Sequence, residues 1–477
     1  GEGVGGAGAV CARRKGAQTS VAAYQRLLGQ YGVDERDQLR QRVAFALGQI
    51  LVVSANTLGK PQQMVPYLNL LRSHAFGNYR DLLMSVSLSP AMGDYLDNVN
   101  NQKPNPATNS SANENYAREF LQLFTIGTEL LNEDGSVRTD VTGQPIPAYT
   151  ETTVKQLALA FTGWVYAPAP GQPIKQRNPA NYSVPMVAYE KSHEQTQKTL
   201  LDGYVLPAGR TAYQDLEDAV NHIFNHPNTG PFVCVRLIRN LVTSNPSPAY
   251  VQRVTAVFNN NGQGVRGDLA AVVRAILLDP EASSLYGTSE MNRANSGHLK
   301  EPVLYVLGVL RALGATVADN NNLNRFASAM GQSVFYPSSV FNYYHLDYQI
   351  GDTGVYGPEL ELHTSSAAIQ RANFIASVVD RGLGAGTTVS FDALAALAAD
   401  PDALIDTLSL RLTHGSLPGE AKAAIRTFVN RTSDPTQRAT RAFYLVAASP
   451  YGAVSGERSA PPGRRGGDRQ RATRMGR

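Results

Sequence analysis

The chain has few of the residues and none of the common motifs that identify an enzyme class directly from sequence. It has 477 residues but only two cysteines, Cys11 and Cys234, and a single tryptophan. Two cysteines build neither a disulfide framework nor a cysteine metal cluster, so none is predicted. The sequence contains no run of about 18 apolar residues, so no membrane-spanning helix is predicted. The G-x-S-x-G, Walker and dinucleotide-binding motifs are also missing, so the sequence gives no positive evidence for a serine hydrolase, a nucleotidase or a dehydrogenase.

Positive charge is scarce outside the two ends of the chain. The formal net charge is +4, yet residues 455–477 hold seven arginines against two acids, and residues 1–20 hold three basic residues against one acid. The remaining body is therefore net negative, which argues against a specific nucleic-acid-binding face. We expect residues 1–33 to be a poorly ordered or partial segment and residues 455–477 a disordered Arg/Gly/Pro-rich tail. Residues 34–454 are predicted to form one large helical domain.

Helix signals dominate this body. Ser89–Pro90 and Ser247–Pro248 each pair an N-cap residue with a proline at the first helical position, and Asp268 precedes another apolar run. Further helices are predicted near residues 34–54, 65–75, 152–162, 214–225, 231–243, 301–313, 366–380, 391–398, 402–411, 418–430 and 435–448. The fold class is mainly α, with long irregular loops and one or two short hairpins, one of them at the Asp134–Gly135 turn.

One helix, "NENYAREFLQLFTIG" from Asn113 to Gly127, carries an unusual number of polar side chains. At 100° per residue they fall on one arc about 140° wide. Ile126 is the exception, because an even helix places it inside the arc. The arc faces water, a buried structural network or a ligand, and the sequence alone leaves all three open. Its six members are Glu114, Asn115, Arg118, Glu119, Gln122 and Thr125, and Asn113 is the expected N-cap.

This stretch resembles the signature of the bacterial family called domain of unknown function 1800. Other segments of the chain resemble the same family in the expected order and cover about residues 35–450. They are "DQLRQRVAFALGQILVVS" (37–54), "SPAMGDYLDN" (89–98), "LALAFTGW" (157–164), "HEQTQKTLLDG" (193–203), "HPNTGPFVCVRLIRNLV" (226–242), "KEPVLYVLGVLRALG" (300–314) and "PSSVFNYYHLDY" (337–348).

The resemblance implies a mostly helical, exported protein, periplasmic or extracellular, whose signal would lie outside this sequence. It also implies a possible partner of the family called domain of unknown function 1501, because the two are often encoded side by side. It implies no established reaction, and neither a cofactor nor a metal is predicted.

Several loop and helix-end residues are candidates for a site. His193, beside Glu194 and near Lys198, either titrates in acid–base chemistry or holds its loop in place. Trp164 suits a core or cleft wall better than a ligand stack. His222 and His226 share the H-x-x-x-H spacing but lack the glutamate of a zinc protease, so a helix-end role is favoured.

The aromatic segment Phe335–Tyr348, with His345 and Asp347, either packs internally or lines a groove for a sugar or polymer. The function favoured by the sequence is therefore a binding or assembly partner at the cell envelope. The alternative is an envelope hydrolase that uses Arg118, Glu119 and His193. Separately, the candidate binding residues are Asn113, Asn115, Gln122, Trp164, Lys198 and His345.

Overall fold

The computed structural model describes residues 37–284 and 297–455, together with residues 25, 26, 28, 29, 32 and 33. The described chain is mainly α-helical with long irregular loops, which confirms the predicted fold class. The two terminal segments of the predicted domain division lie almost wholly outside the described residues, so that division stays a prediction.

The helices of the first half follow one another with short connections, except at the loops of residues 96–114 and 126–150 and the long segment of residues 161–211. They are α1 (Gln38–Ile50), α2 (Pro61–His74), α3 (Tyr79–Ser87), α4 (Pro90–Tyr95), α5 (Asn115–Glu119), α6 (Glu151–Ala160), α7 (Ala212–Asn225), α8 (Thr229–Leu241), α9 (Pro248–Asn259), α10 (Leu269–Leu278) and α11 (Pro280–Ser284). A π-helical turn, Phe120–Thr125, continues α5.

The helices of the second half begin after the gap in the described residues. They are α12 (Pro302–Ala312), α13 (Asn324–Ala329), α14 (Ser365–Ala376), α15 (Asp392–Ala395), α16 (Pro401–Thr413), α17 (Gly419–Val429), α18 (Pro435–Ala447) and α19 (Pro450–Ala453). None of the helices in the described part of the chain is both long and apolar enough to cross a membrane.

The local start signals work as expected. Ser89 and Ser247 are N-caps with proline at the next position, and the Ser247 hydroxyl accepts a hydrogen bond from the Tyr250 N–H at 3.2 Å. Asp268 caps α10 by accepting from the Ala271 N–H at 3.1 Å. These caps satisfy backbone donors that a helix start leaves unpaired, which is why their positions are visible in sequence.

The first predicted helix is shorter than expected at its C-terminal end. It was predicted to reach Ser54, but α1 ends at Ile50. The Ser54 hydroxyl donates to the Pro337 carbonyl at 2.7 Å, and the Ala55 N–H donates to the Phe335 carbonyl at 2.9 Å. The chain leaves the helix because tertiary pairing with the aromatic segment replaces the helical hydrogen bonds.

The strands are two residues long and form separate two-stranded antiparallel pairs. They are β1 (Trp164–Val165) with β2 (Val187–Ala188), β3 (Lys198–Thr199) with β4 (Val205–Leu206), β5 (His298–Leu299) with β8 (Val454–Ser455), and β6 (Thr316–Val317) with β7 (Thr387–Thr388). At the Asp134–Gly135 turn, the bridge between Leu131 and Val137 confirms the predicted hairpin.

Two large hydrophobic cores hold the helices together. The first is built from residues between Val43 and Ala282, and the second from residues between Tyr305 and Ala447. Cys234 lies in the first core, fully buried, as expected of a small apolar side chain. The candidate site lies where loops from both parts of the chain meet over α8.

Candidate functional site

Two segments singled out in the sequence meet at one groove of about 690 Å³. The polar helix contributes Gln122, and the aromatic segment contributes Phe341, His345 and Tyr348 from the opposite side. Between them, α8 supplies the floor. We call this surface the aromatic groove and define it by Gln122, Phe232, Arg236, Arg239, Phe341 and Tyr348.

The aromatic wall is held from behind by a buried amide. Gln49 of α1 accepts hydrogen bonds from the Asn342 side-chain amide at 2.5 Å and from the Tyr344 hydroxyl at 3.2 Å. Asn342 has a φ of 73°, a left-handed conformation that asparagine tolerates better than most residues. The wall is therefore fixed, yet Phe341 keeps 41% and Tyr348 37% of its surface exposed.

The floor of the groove holds a guanidinium without a counter-ion. The Arg236 guanidinium lies over the Phe232 ring at 3.4 Å from its centroid. It forms no hydrogen bond or ion pair among the described residues. Burial is the main cause that lowers the pKa of Arg236 to about 10, the positive charge of Arg239 adds to it, and Asp347 opposes it. The residue is half-buried, so its charge is less well hydrated than on an open surface, and an anionic ligand would offset that loss.

The neighbouring Arg239 has a counter-ion by contrast, although its buried Nε has no hydrogen-bond partner among the described residues. It donates to the Leu346 carbonyl at 3.0 Å and to the Asp347 carboxylate at 2.8 Å. Its guanidinium also lies over the Tyr356 ring at 4.1 Å. Arg239 therefore fastens the aromatic loop to α8, and Arg236 is the cation left available in the groove.

His345 lies at the rim of the groove. Its backbone N–H donates to Glu361 at 2.7 Å, and Nδ1 lies 3.1 Å from the same carboxylate. The ring faces Phe341 with centroids 5.2 Å apart, and 59% of the side chain is exposed. It is oriented and reachable, as a binding residue would be.

Gln122 reaches the groove from an irregular turn. From Phe120 to Thr125 the helix winds as a π helix, with the Ile126 N–H donating to the Leu121 carbonyl at 2.9 Å, five residues back. Tyr149 donates to the Gln122 side-chain oxygen at 3.3 Å. This amide oxygen is thereby oriented, and the turn as a whole sits beside the floor.

The π turn corrects the even helix assumed from sequence. Thr125 was placed on the polar arc, but it is fully buried and its hydroxyl donates to the Phe120 carbonyl at 2.5 Å. Ile126, the apparent exception, is also fully buried. The wider π turn rotates Thr125 and Ile126 towards the core, so Ile126 does not lie on the polar face that an even helix predicts for it.

The start of the same helix is joined to the loop that follows α4. Asn101 and Asn113 exchange two hydrogen bonds, Asn113 N–H to the Asn101 side chain at 2.8 Å and the Asn101 amide to the Asn113 carbonyl at 3.0 Å. The Asn115 amide donates to Asp97 at 2.9 Å. The N-cap of α5 is Glu114 rather than the expected Asn113, whose side chain instead accepts from the Asn115 N–H. Asn113 and Asn115 are both exposed and lie outside the groove lining.

Arg118 forms a surface ion-pair network. It donates to Glu114 at 3.1 Å, as its i, i+4 spacing predicts, and to Glu151 at 2.8 Å. Glu119 is more enclosed. Burial raises the pKa of Glu119, with Arg118 opposing it, and its Oε2 has no hydrogen-bond partner among the described residues.

His193 and Lys198 meet far from the groove lining, in a fully buried ion cluster. His193 Nε2 lies 3.1 Å and Lys198 Nζ 2.7 Å from Asp215 Oδ2, and all three side chains are inaccessible to solvent. Arg210 pairs with the other oxygen at 2.8 Å. His193 Nδ1 lies 2.9 Å from the Thr162 carbonyl, so both ring nitrogens have a partner within the protein.

Three donors on one carboxylate make this cluster a clamp. Burial raises the pKa of Asp215, but the hydrogen bonds from His193 and Lys198 outweigh it, so the net shift is downward. The clamp ties the long loop after β2 to α7. Of the two roles left open for His193, its contacts match the loop-holding one.

The remaining candidates also lie apart from the groove. Trp164 is 3% exposed in the first core, and its backbone carbonyl accepts from the Asn100 N–H at 2.7 Å. His222 Nε2 lies 2.8 Å from the Leu201 carbonyl, and His226 accepts from the Asn228 N–H at 3.1 Å. Each imidazole thus has a protein partner at a helix end.

The comparison with protein-family models decides the family. The model described as "Protein of unknown function (DUF1800)" matches residues 11–451. The chain belongs to this family. No curated protein and no solved structure matched the chain significantly.

Besides residues 37–54, which supply Gln49 and Ile50, three segments on which the resemblance to DUF1800 rested line the aromatic groove. Residues 113–127 supply Gln122, residues 226–242 supply Phe232, Arg236 and Arg239, and residues 337–348 supply Phe341 and Tyr348. The sequence singled out the first and third of these segments as candidate sites but not the second. The signal for the second was an arginine pair at i, i+3 inside the otherwise apolar run "PFVCVRLIRNLV".

Proposed function

We propose that this DUF1800 protein is an exported binding protein whose aromatic groove takes an acidic polysaccharide of the cell envelope. The observation that carries the proposal is the Arg236 guanidinium, which lies at the groove floor without an ion pair among the described residues. A planar guanidinium suits a carboxylate, which it can bind with two parallel hydrogen bonds. Two acids, Glu129 and Asp347, also line the groove, but neither forms an ion pair with Arg236, and the ligand supplies that partner.

The walls of the groove support a carbohydrate as the carrier of that anion. Phe341 and Tyr348 present large exposed ring surfaces on a fixed loop, and Gln122 presents an oriented amide across from them. Aromatic faces with a few directional polar groups are the surfaces that hold sugar rings in place. The groove volume is within the roughly 300–1,000 Å³ of ordinary ligand sites, enough for a few sugar units at a time.

Binding fits the geometry better than hydrolysis. Hydrolysis by Glu119 and His193 needs both side chains at one solvent-reachable pocket. His193 is inaccessible and paired with Asp215, and neither it, Arg118 nor Glu119 is among the described residues that line the groove. Asp347, which does line it, is held by Arg239. The envelope location and a partner of the domain of unknown function 1501 family complete the proposal and rest on the family resemblance.

The test is a titration of the full chain with oligogalacturonate, whose units carry carboxylates, and with a neutral dextran oligomer of equal length. We expect the acidic oligomer to bind and the neutral one to bind at least tenfold more weakly. Phe341→Ala should weaken oligogalacturonate binding about 3- to 10-fold, the worth of one aromatic contact. The matched control is Phe428→Ala on α17, since Phe428 is 40% exposed and lies outside the groove lining.

Equal affinity for the two oligomers would exclude the acidic ligand. Equal weakening by Phe341→Ala and Phe428→Ala would exclude the groove as the binding surface.

A further inference from the structure

A second cavity, of about 910 Å³, runs along α12. Its walls come from α1, from α12 and from the C-terminal end of α16. We call it the basic cavity and define it by Arg42, Lys300, Leu304, Gly308, Arg311 and Arg411.

The charge in this cavity has one sign. Arg42, Lys300, Arg311 and Arg411 line it, and no Asp or Glu is among the described residues that do so. Arg42 is balanced from behind, because the buried carboxylates of Glu301 and Glu359 act on it. The unbalanced charge is therefore at the other end of the cavity.

Helix ends explain part of this cation cluster. Lys300 donates to the Leu412 carbonyl at 3.0 Å, and Arg411 donates to the Ala312 carbonyl at 3.3 Å, so each caps the C-terminus of α16 or α12. Lys300 also donates to the Gly452 carbonyl at 3.0 Å, so two of its three N–H groups are used. The Arg411 guanidinium has four further N–H donors. The exposed Arg311 guanidinium forms no hydrogen bond or ion pair among the described residues. Burial, with the charge of Arg371, lowers the pKa of Lys300 to about 8, which shows how little negative charge reaches it.

Apolar side chains also line the cavity. They include Leu304 and Leu307 of α12 and Phe45 of α1, whose ring lies 5.7 Å from the Arg42 guanidinium. Gly308 leaves additional room, since a Cβ there would meet nothing within 4 Å. The cavity thus combines a cation cluster with apolar side chains that a hydrocarbon chain can contact.

We propose that the basic cavity binds a single-chain anionic amphiphile, with its carboxylate or phosphate at Lys300, Arg311 and Arg411 and its hydrocarbon chain along Leu304, Leu307 and Phe45. This site is separate from the aromatic groove and does not depend on the function proposed for it. A carboxylate head would come from a fatty acid and a phosphate head from a lipid precursor, and both share the chemistry that the cavity offers.

Calorimetric titration of the full chain tests the proposal with octanoate, decanoate, decyl phosphate and decanol, each below its critical micelle concentration. Decanoate should bind about 16-fold more tightly than octanoate, or about fourfold for each buried methylene. Decanol should bind at least tenfold more weakly than either decyl anion. The tighter of the two anions identifies the head group.

Two variants locate the site. Gly308→Leu places a side chain in the cavity and should abolish decanoate binding. The variant should still fold, because leucine is a better helix former than glycine. Gly419→Leu is the matched control, since Gly419 is also open and lies outside the cavity lining. The double variant Arg311→Gln/Arg411→Gln should weaken decanoate at least tenfold and leave decanol unchanged.

The proposal is overturned if octanoate and decanoate bind alike, if decanol matches the anions, or if Gly308→Leu binds decanoate as tightly as the unaltered chain does.

Discussion

Arg236→Met should stabilise the protein while it removes the acidic ligand. Methionine keeps an unbranched stem of similar length over the Phe232 ring, so packing at the groove floor is retained. What disappears is a guanidinium that has no counter-ion among the described residues. Most substitutions at partly buried positions destabilise, which makes a gain in stability a sharp expectation.

The size of the gain follows from the pKa of Arg236, lowered from 12.5 to about 10. At about 1.4 kcal/mol per unit, burying the charge costs about 3 kcal/mol, and the half-buried position reduces this to about 2 kcal/mol through solvent screening. The substitution also removes the cation–π contact with Phe232, and this loss destabilises the protein by about 1 kcal/mol. We therefore expect Arg236→Met to gain about 1 kcal/mol.

The pH dependence has a definite sign. A base whose folded pKa is lowered is penalised at every pH below that pKa, and the penalty fades only as the pH rises from about 10 towards 12.5. The gain should therefore be constant between about pH 6 and pH 8.

Urea unfolding measures the gain, with Arg253→Met as the control. Arg253 is also an arginine within a helix, but its Nε and Nη2 donate to the two Asp279 carboxylate oxygens at 2.7 and 2.8 Å. Its replacement should therefore lower the free energy of unfolding. If Arg236→Met loses as much stability as Arg253→Met, the Arg236 charge is satisfied within the protein and the argument for an anionic ligand fails.

Three further predictions concern the polar helix and the buried clamp. Asp215→Asn should lower the free energy of unfolding by about 3–5 kcal/mol at pH 7, because it leaves Lys198 buried without its carboxylate. As the pKa of Asp215 is lowered, this loss should shrink when the pH falls below about 4 in urea titrations. Glu119→Gln should raise the melting temperature at pH 7, because the pKa of Glu119 is raised and its charged form is disfavoured; a gain that persists at pH 4 would contradict this. Arg118→Ala should shift the melting temperature by less than about 2 °C, since its pairs with Glu114 and Glu151 are open to solvent, and a larger shift would show a structural role for the network.

Local rules predicted most of the helix framework, and they failed where tertiary contacts decide. Caps such as Ser247 and Asp268 act over three residues, so a sequence window contains all of their partners. The end of α1 at Ile50 depends on carbonyls of Phe335 and Pro337, which lie almost 300 residues away in the chain. No window around α1 contains that information.

The candidate site was predicted in part for the same reason. Gln122 and His345 were chosen from their own segments, and the structure brings both to the aromatic groove. Arg236 was missed because its sequence context is that of a core helix, and only the fold shows that no acid pairs with it among the described residues. His193 looked like a free loop histidine because Asp215, its partner, is 22 residues further along the chain.

The π turn at Phe120–Thr125 also makes the length of this segment a fixed quantity. A π turn holds one residue more than the α-helical turn it replaces, so deleting one residue there would yield a more regular helix. The same deletion would draw Gly127 out of its place, where φ is 74° and a Cβ would lie 2.5 Å from the Phe232 ring. A sequence gap of one residue in a homologue at this point would therefore signal a rebuilt groove floor, even where every groove side chain is kept.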